Sequence, residues 1–242
     1  EYARNQDMAA QPFERFDDVD ESAAREIIAK VRNHQSERGV TEVESKAIFK
    51  AYGLPVAKTQ LAESEDQAVE LAESTGYPVV MKIVSPDILH KSDAGGVKVD
   101  IGSEDEVREA YQEILANAKA YQEDADIDGV AIQEMAPWGT EVILGSVNDP
   151  TFGPSVMFGL GGIFVEILKD VTFRVAPVST DQAFKMLGDI NGAPILEGAR
   201  GEEPKDRQAL AEMLSRYSQM IYDLRDEISE TDANPVIVYD EG

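Results

Sequence analysis

The strongest constraint on the fold is a change of texture part-way along the chain. Up to about residue 128, short β-rich runs alternate with helical segments that carry their own start signals. Beyond it, strand-like runs follow one another across glycine and proline turns. Residues 1–19 are polar and lack a helical stripe, so they read as a linker. A helix is expected from about Ser22 to Arg38, stopped by Gly39 where a positive φ is accepted. Thr41-Glu42-Val43-Glu44 has the spacing of a capping box and opens a helix that stops at Gly53. A strand at Val56–Leu61, a helix from Ser64 to Gly76 and a strand at Pro78–Val84 with one cation follow. Ser103 and Glu106 cap a long helix running to Tyr121. Such alternation predicts α/β layering.

From Gly129 the chain predicts strands at Gly129–Met135, Thr140–Val147, Pro154–Leu160 and Val171–Val178. Helices are expected at Thr180–Leu187 and Glu203–Arg225, and a closing strand at Ile228–Tyr239. A boundary just after the acidic stretch Glu123-Asp124-Ala125-Asp126 divides the chain into residues 41–128 and 129–242, with residues 1–40 as a linker and helix. Two α+β lobes with a ligand cleft between them are the expected architecture.

Charge narrows the partners. The 242 residues hold 47 acidic against 22 basic side chains, a net charge of −25. A nucleic-acid backbone would be repelled by such a surface. The excess does not imply disorder, because 43% of residues are apolar and patterned to build a core. It points to a protein adapted to high salt, where ions screen the repulsion, with an ordinary acidic protein as the bland alternative. With no cysteine, disulfides, thiolate metal sites and thiol nucleophiles are excluded. The longest uncharged stretch, Pro150–Val165, is too short and glycine-rich to span a bilayer. The start at Glu1-Tyr2-Ala3-Arg4 carries no signal-like apolar run and reads as a point inside a longer chain. A cytoplasmic location without membrane attachment is expected.

Four segments carry candidate chemistry. The densest is Leu89-His90-Lys91-Ser92-Asp93-Ala94-Gly95-Gly96-Val97. An imidazole can accept a phosphoryl group, consecutive glycines can turn N–H groups toward phosphate oxygens, and Lys91 and Lys82 supply point charges. A plain polar loop closed by a Gly-Gly turn fits the same residues. His34, among Asn33, Gln35 and Ser36, reads as a solvated helix residue. Phe158-Gly159-Leu160-Gly161-Gly162-Ile163-Phe164-Val165-Glu166 lacks the dinucleotide spacing and reads as a tight hairpin or an anion-binding loop. Glu230, Asp232 and Asn234 alternate, which sets them on one strand face as oxygen donors suited to Mg²⁺; a solvated edge strand is the bland alternative. Ile132-Gln133-Glu134-Met135 ends a strand at the expected boundary and can offer backbone groups to an adenine ring.

Together, Gly-Tyr-Pro-Val-Val-Met-Lys (76–82), Ser-Pro-Asp-Ile-Leu-His-Lys-Ser-Asp-Ala-Gly-Gly-Val (85–97), the segment 149–166 and Asp-Ala-Asn-Pro (232–235) resemble the ATP-grasp domain of ADP-forming acetate–CoA (acyl-CoA) ligases, relatives of succinyl-CoA synthetase. The resemblance covers residues 41–242, and residues 1–40 resemble the linker from an upstream CoA-binding part. It implies an ATP-grasp fold and the reversible conversion of acyl-CoA, ADP and phosphate to acid, CoA and ATP. It further implies a CoA-binding partner, fused or separate, and an oligomeric complete enzyme.

By that resemblance, His90 relays a phosphoryl group between the partner's phosphohistidine and the nucleotide, and Asp232 steadies the incoming phosphohistidine. Lys82, Lys91, Gly95, Gly96 and Val97 attend the nucleotide phosphates, Glu134 and Met135 the adenine, and Asn234 the Mg²⁺. Glu141, Glu166 and Arg174 are assigned to ribose, metal or phosphate, Glu166 being the metal ligand among them. A further metal-binding Asp of the family falls beyond Gly242, so the chain is expected to be truncated and inactive by itself. Two other classes share the domain type: a regulatory module of protein acetyltransferases, and a carboxylate–amine ligase, which leaves His90 unexplained.

Overall fold

The computed structural model describes residues 13, 15–33, 39–88, 90–162, 169–201 and 203–241. They divide into two compact units. The first holds Ser22–Lys50 and Pro55–Pro137; the second holds the segment up to Glu21, Ala51–Leu54 and Trp138–Gly242.

The first unit contains α1 (Glu21–Asn33), α2 (Glu42–Ala51), β1 (Thr59–Ala62), α3 (Glu65–Thr75), β2 (Val79–Val84), β3 (Val97–Ile101), α4 (Glu104–Tyr121) and β4 (Gly129–Glu134). Its helix starts follow the local code. Thr41 N donates to Glu44 Oε2 at 2.8 Å while Glu44 N reaches Thr41 Oγ1 at 3.4 Å. Ser64 and Ser103 accept from the N–H groups three residues on. Strand order is β1-β4-β2-β3, all antiparallel. Residues directly opposite across a ladder share a face. Met81 faces Ile132, and Ile83 faces Val130, on the side that packs with Ala68, Ala72, Val107 and Ile114 of α3 and α4. Each fully buried Ile, Val or Met contributes about 1.5–3 kcal/mol. Lys82, opposite Ala131, and Gln133, opposite Val80, are thereby sent to the other face.

The expected boundary at Gly129 is displaced to Pro137–Trp138, because β4 is an inner strand of the first sheet, paired with both β1 and β2. The acidic stretch before it is an anchored connection: Asp126 N donates to Asp87 Oδ2 at 2.7 Å and Asp128 N to Val84 O at 2.9 Å. Gly129 is dictated by space as well as by φ +145°, since a Cβ there would lie 2.3 Å from Ala62 O. Three elements among the described residues were not expected from the sequence: the polar edge strand β3, the four-residue helix at Ala193–Leu196 and the 3-10 turn at Ala199–Gly201.

The second unit contains β5 (Thr140–Asp149), β6 (Gly153–Leu160), β7 (Val171–Val175), α5 (Thr180–Leu187), α6 (Ala193–Leu196), α7 (Arg207–Asp223) and β8 (Glu230–Val238). Its antiparallel order is β7-β6-β5-β8. Val142, Leu144, Val156 and Phe158 are fully buried, and α5 and α7 pack together and against β6. The buried serines of α7 are satisfied: Ser215 Oγ donates to Val178 O at 2.8 Å, and Val178 N to Ser218 Oγ at 3.0 Å. Gln219, also fully buried, exchanges hydrogen bonds with the backbone of Phe16, which docks the N-terminal segment on α7.

Candidate functional site

In a chain of net charge −25, lysines gather in one place. On the face of the first sheet away from its helical core, Lys82 Nζ lies 2.8 Å from Glu42 Oε1 and donates to Gln133 Oε1 at 3.1 Å. Lys46, one turn after Glu42 on α2, contacts the same Oε1 at 3.0 Å and donates to Gln133 Oε1 at 2.6 Å and Thr59 Oγ1 at 2.8 Å. Lys91, from the loop after β2, stands 3.4 Å from Glu42 Oε2. Three ammonium groups meet one carboxylate, which leaves two positive charges uncompensated within the cluster. Burial alone would raise the Glu42 carboxyl, but attraction and hydrogen bonds from Lys82 and Lys46 overrule it and hold the pKa at about 2. Burial lowers Lys46, with Glu42 opposing and the neighbouring Lys82 and Lys91 reinforcing the effect.

The sequence points to Lys82 and Lys91; it presents Gln133 only within the segment expected at the adenine, and Glu42 and Lys46 only as members of a capped helix. Their i, i+4 spacing is an ordinary helix pair; only the fold reveals that Lys82 joins Lys46 on the same Glu42 oxygen.

The loop carrying His90 is a closed set of turns. Ala94 N donates to His90 O at 3.3 Å, Gly95 N to Ser92 O at 3.0 Å and Gly96 N to Lys91 O at 2.8 Å. The glycine N–H groups expected to face phosphate oxygens are therefore engaged within the loop itself. The glycines serve its shape: Gly95 has φ +61° and rests against Asn117, whose Nδ2 donates to Gly95 O at 3.1 Å. Gly96 presses against Ile83 of β2, and Val97 then pairs with Lys82 across β2–β3. This construction anchors the main chain of His90 while leaving the residue exposed. At the end of β4, Glu134 Oε1 accepts from Lys58 N at 2.7 Å, so the carboxylate is occupied by β1's approach segment; Met135 follows, half-buried.

In the second unit, Glu230, Asp232 and Asn234 are all exposed and share one face of β8, an edge strand. Between the pairs Leu144–Ala233 and Val142–Val236, two β8 residues, Asn234 and Pro235, oppose one on β5. That bulge accommodates the proline, which has no N–H for the ladder. Glu141 is exposed, and its backbone abuts Gly161, which donates to Glu141 O at 2.8 Å. Arg174 is ion-paired with Asp189 and also donates to Phe173 O at 2.7 Å. Asp170, unremarked in the sequence, is buried and accepts from Asn191 N, Asn191 Nδ2 and Gly192 N at 2.7–2.9 Å. Glu166 and His34 lie outside the described residues. Among the described residues no group of three or more His, Asp or Glu side chains is placed to hold a metal. No helix among them is long and apolar enough to cross a membrane.

A family profile described as an ATP-grasp domain matches residues 21–242. The β subunit of ADP-forming acetate–CoA ligase I from Pyrococcus furiosus is 51% identical over 218 residues, 90% of this chain and 93% of that protein. The ADP-forming 4-hydroxybutyrate–CoA ligase of Nitrosopumilus maritimus is 47% identical over 224 residues, 93% of this chain and 32% of that protein. The chain thus spans nearly all of the first relative and about a third of the second. A solved structure of Ca. Korarchaeum cryptofilum dinucleotide-forming acetyl-coenzyme A synthetase 1 superposes with a TM-score of 0.77 at 42% identity, covering 90% of this chain and 94% of that one. That protein was captured with coenzyme A and Mg-AMPPCP, its phosphohistidine segment pointing towards the nucleotide binding site.

Proposed function

The chain belongs to the ATP-grasp domain family, in the branch of the ADP-forming acyl-CoA ligases, and from that premise we propose how its residues handle the phosphoryl group. It is the nucleotide-binding part of an acid–thiol ligase that interconverts acyl-CoA, ADP and phosphate with acid, CoA and ATP. The observation that carries the residue assignment is the lysine cluster beside the His90 loop, in a chain that is otherwise strongly acidic.

Phosphate oxygens need fixed positive charge, and each charge-assisted contact is worth about 1.5–3 kcal/mol. Lys46, Lys82 and Lys91 supply that charge. The His90 imidazole takes the phosphoryl group from a phosphohistidine of the CoA-binding partner: the N–P bond there breaks as one to His90 forms. A terminal phosphate oxygen of ADP then attacks phosphorus, and His90 leaves as neutral imidazole. Gly95, Gly96 and Asn117 act through loop shape, holding His90 and Lys91 in register with β2. Met135, with the backbone at Glu134, is assigned to the base, and Glu141 and Arg174 to ribose or phosphate.

Asp232 and Asn234 offer a carboxylate and an amide oxygen, too few for a full coordination shell. That donor set fits Mg²⁺, which takes its remaining ligands from phosphates and water. When bound, the ion neutralises phosphate charge. Asp232 is assigned to accept from an imidazole N–H of the partner's phosphohistidine, fixing its tautomer. A CoA-binding part, supplied as a subunit or fused, completes the enzyme, and thioester formation by these 242 residues requires its addition. The acidic surface is read as suited to high ionic strength.

Incubating the complete enzyme with γ-labelled ATP tests the relay. Acid-labile label and ligase activity should both be lost in His90→Asn. If the variant retains both at wild-type level, His90 has no relay role.

A further inference from the structure

We propose that Glu42 is an internal anion that occupies the phosphate position of the lysine cluster and is displaced by nucleotide phosphates, so that it sets how much negative charge a ligand must bring. The proposal rests on the nucleotide-binding reading of the cluster.

The geometry is that of a bound ligand. Both Glu42 oxygens are used: Oε1 by Lys82 at 2.8 Å and Lys46 at 3.0 Å, Oε2 by Lys91 at 3.4 Å. Those ammonium groups come from β2, α2 and the loop after β2. A carboxylate contacted from three elements at once occupies the place where a phosphate group would receive the same three donors. The start of α2 does not need the Glu42 carboxylate there, because Thr41 and Glu44 already cap that helix.

The emptied cluster explains why a carboxylate should stand there. Three ammonium groups repel one another, and Lys46 and Lys82 share a single neutral acceptor, Gln133 Oε1, which cannot neutralise them. A built-in carboxylate relieves that repulsion until a better anion arrives. Glu42 is only half-buried, and its tether is a flexible side chain at the first residue of the helix. It can swing out without unfolding anything.

Displacement makes the site selective. A ligand must out-compete a monoanion already in contact with three cations, at an effective concentration fixed by its tether. Orthophosphate offers little more than Glu42 does. A di- or triphosphate spreads more charge over more oxygens, and so prevails.

The test is calorimetric titration of wild type, Glu42→Gln and Lys82→Ala with ADP, inorganic tripolyphosphate and orthophosphate. Glu42→Gln keeps the side-chain shape and removes the competing charge. It should bind ADP and tripolyphosphate about tenfold more tightly, equivalent to about 1.4 kcal/mol, and should acquire measurable orthophosphate binding. Equal or weaker binding of all three probes by a folded Glu42→Gln overturns the proposal and makes Glu42 a scaffold for the lysines. Should that variant not fold, Glu42→Asp withdraws the carboxylate by one methylene and is expected to tighten binding in the same direction, by less; no tightening there overturns the proposal equally. A wild type that binds neither ADP nor tripolyphosphate would instead defeat the nucleotide reading itself, a result distinct from a wild type that binds and a Gln variant that binds no better.

Discussion

Replacing Gly96 by alanine asks whether the His90 loop is seated on β2 by direct contact. Gly96 has no unusual φ, so the whole effect is space. An added Cβ would lie 2.5 Å from Ile83 Cγ2, 3.1 Å from Ile83 Cβ and 3.1 Å from Lys91 O. Carbon–carbon contacts are optimal at about 3.5–4.0 Å, so something must move by about 1 Å. Ile83 is fully buried among Met81, Val130 and Ile114 and has nowhere to retreat. The loop cannot lift freely either, because Gly96 O accepts from Ile83 N at 2.7 Å and Gly96 N donates to Lys91 O at 2.8 Å. Overpacking of this kind costs about 1–3 kcal/mol, a loss of roughly 2–12 °C in melting temperature for a chain of this length. Because the displaced backbone carries Lys91, ADP affinity should fall with stability. Differential scanning calorimetry and ADP titration read the two effects. Gly102→Ala is the control, since the nearest neighbour to an added Cβ there is Glu106 Oε2 at 3.6 Å, an ordinary van der Waals contact. If Gly96→Ala melts and binds like Gly102→Ala, the loop is not held as the structure has it.

Three further outcomes are expected. Glu42 titrates at about 2 against an ordinary 4.5, so its ion pairs contribute stability that is complete above pH 4.5 and lost as pH falls toward 2. The shift corresponds to at most about 3 kcal/mol; wild type should lose stability more steeply than Glu42→Gln over that window, and parallel curves would count against the ion pairs. Lys82→Ala should weaken ADP binding by about 1.5–3 kcal/mol, seen by calorimetry; unchanged affinity would remove Lys82 from the phosphate site. Finally, with a net charge of −25, the melting temperature should rise with KCl as the Debye length shrinks from about 10 Å at 0.1 M to about 3 Å at 1 M. A flat or falling curve would argue against a salt-suited surface.

Much of the local structure was legible in the sequence because it is locally encoded. Ser64, Ser103 and Thr41 each bond to a group three residues away, so those helix starts needed no knowledge of the rest of the chain. The same holds for the polar row on β8, where alternation alone puts Glu230, Asp232 and Asn234 on one face. The edge strand β3 leaves no apolar pattern in the sequence because Val99 and Asp100 are exposed and its other residues are only half-buried. The family resemblance named Lys82, His90 and Asn234 from motifs whose residues are contiguous, and contiguity is what a motif records.

What the tertiary structure alone decided are relations between distant residues. Gly129 looked like a boundary because glycine and acidic residues punctuate the chain there; the ladder makes β4 an inner strand, since only pairing with β1 and β2 satisfies its backbone groups. The glycines at 95 and 96 looked like phosphate donors, yet their N–H groups close the loop on Ser92 and Lys91, and their value lies in fit against Asn117 and Ile83. Above all, in the sequence Glu42 and Lys46 are only members of a capped helix. Glu42 becomes the partner of Lys82 across 40 residues of sequence at 2.8 Å, and Lys46 joins it on the same carboxylate oxygen. The hydrogen bonds that start a helix act over three or four residues and can be read from neighbours. Coulomb attraction acts through space, so which charges meet is settled only when the sheet forms.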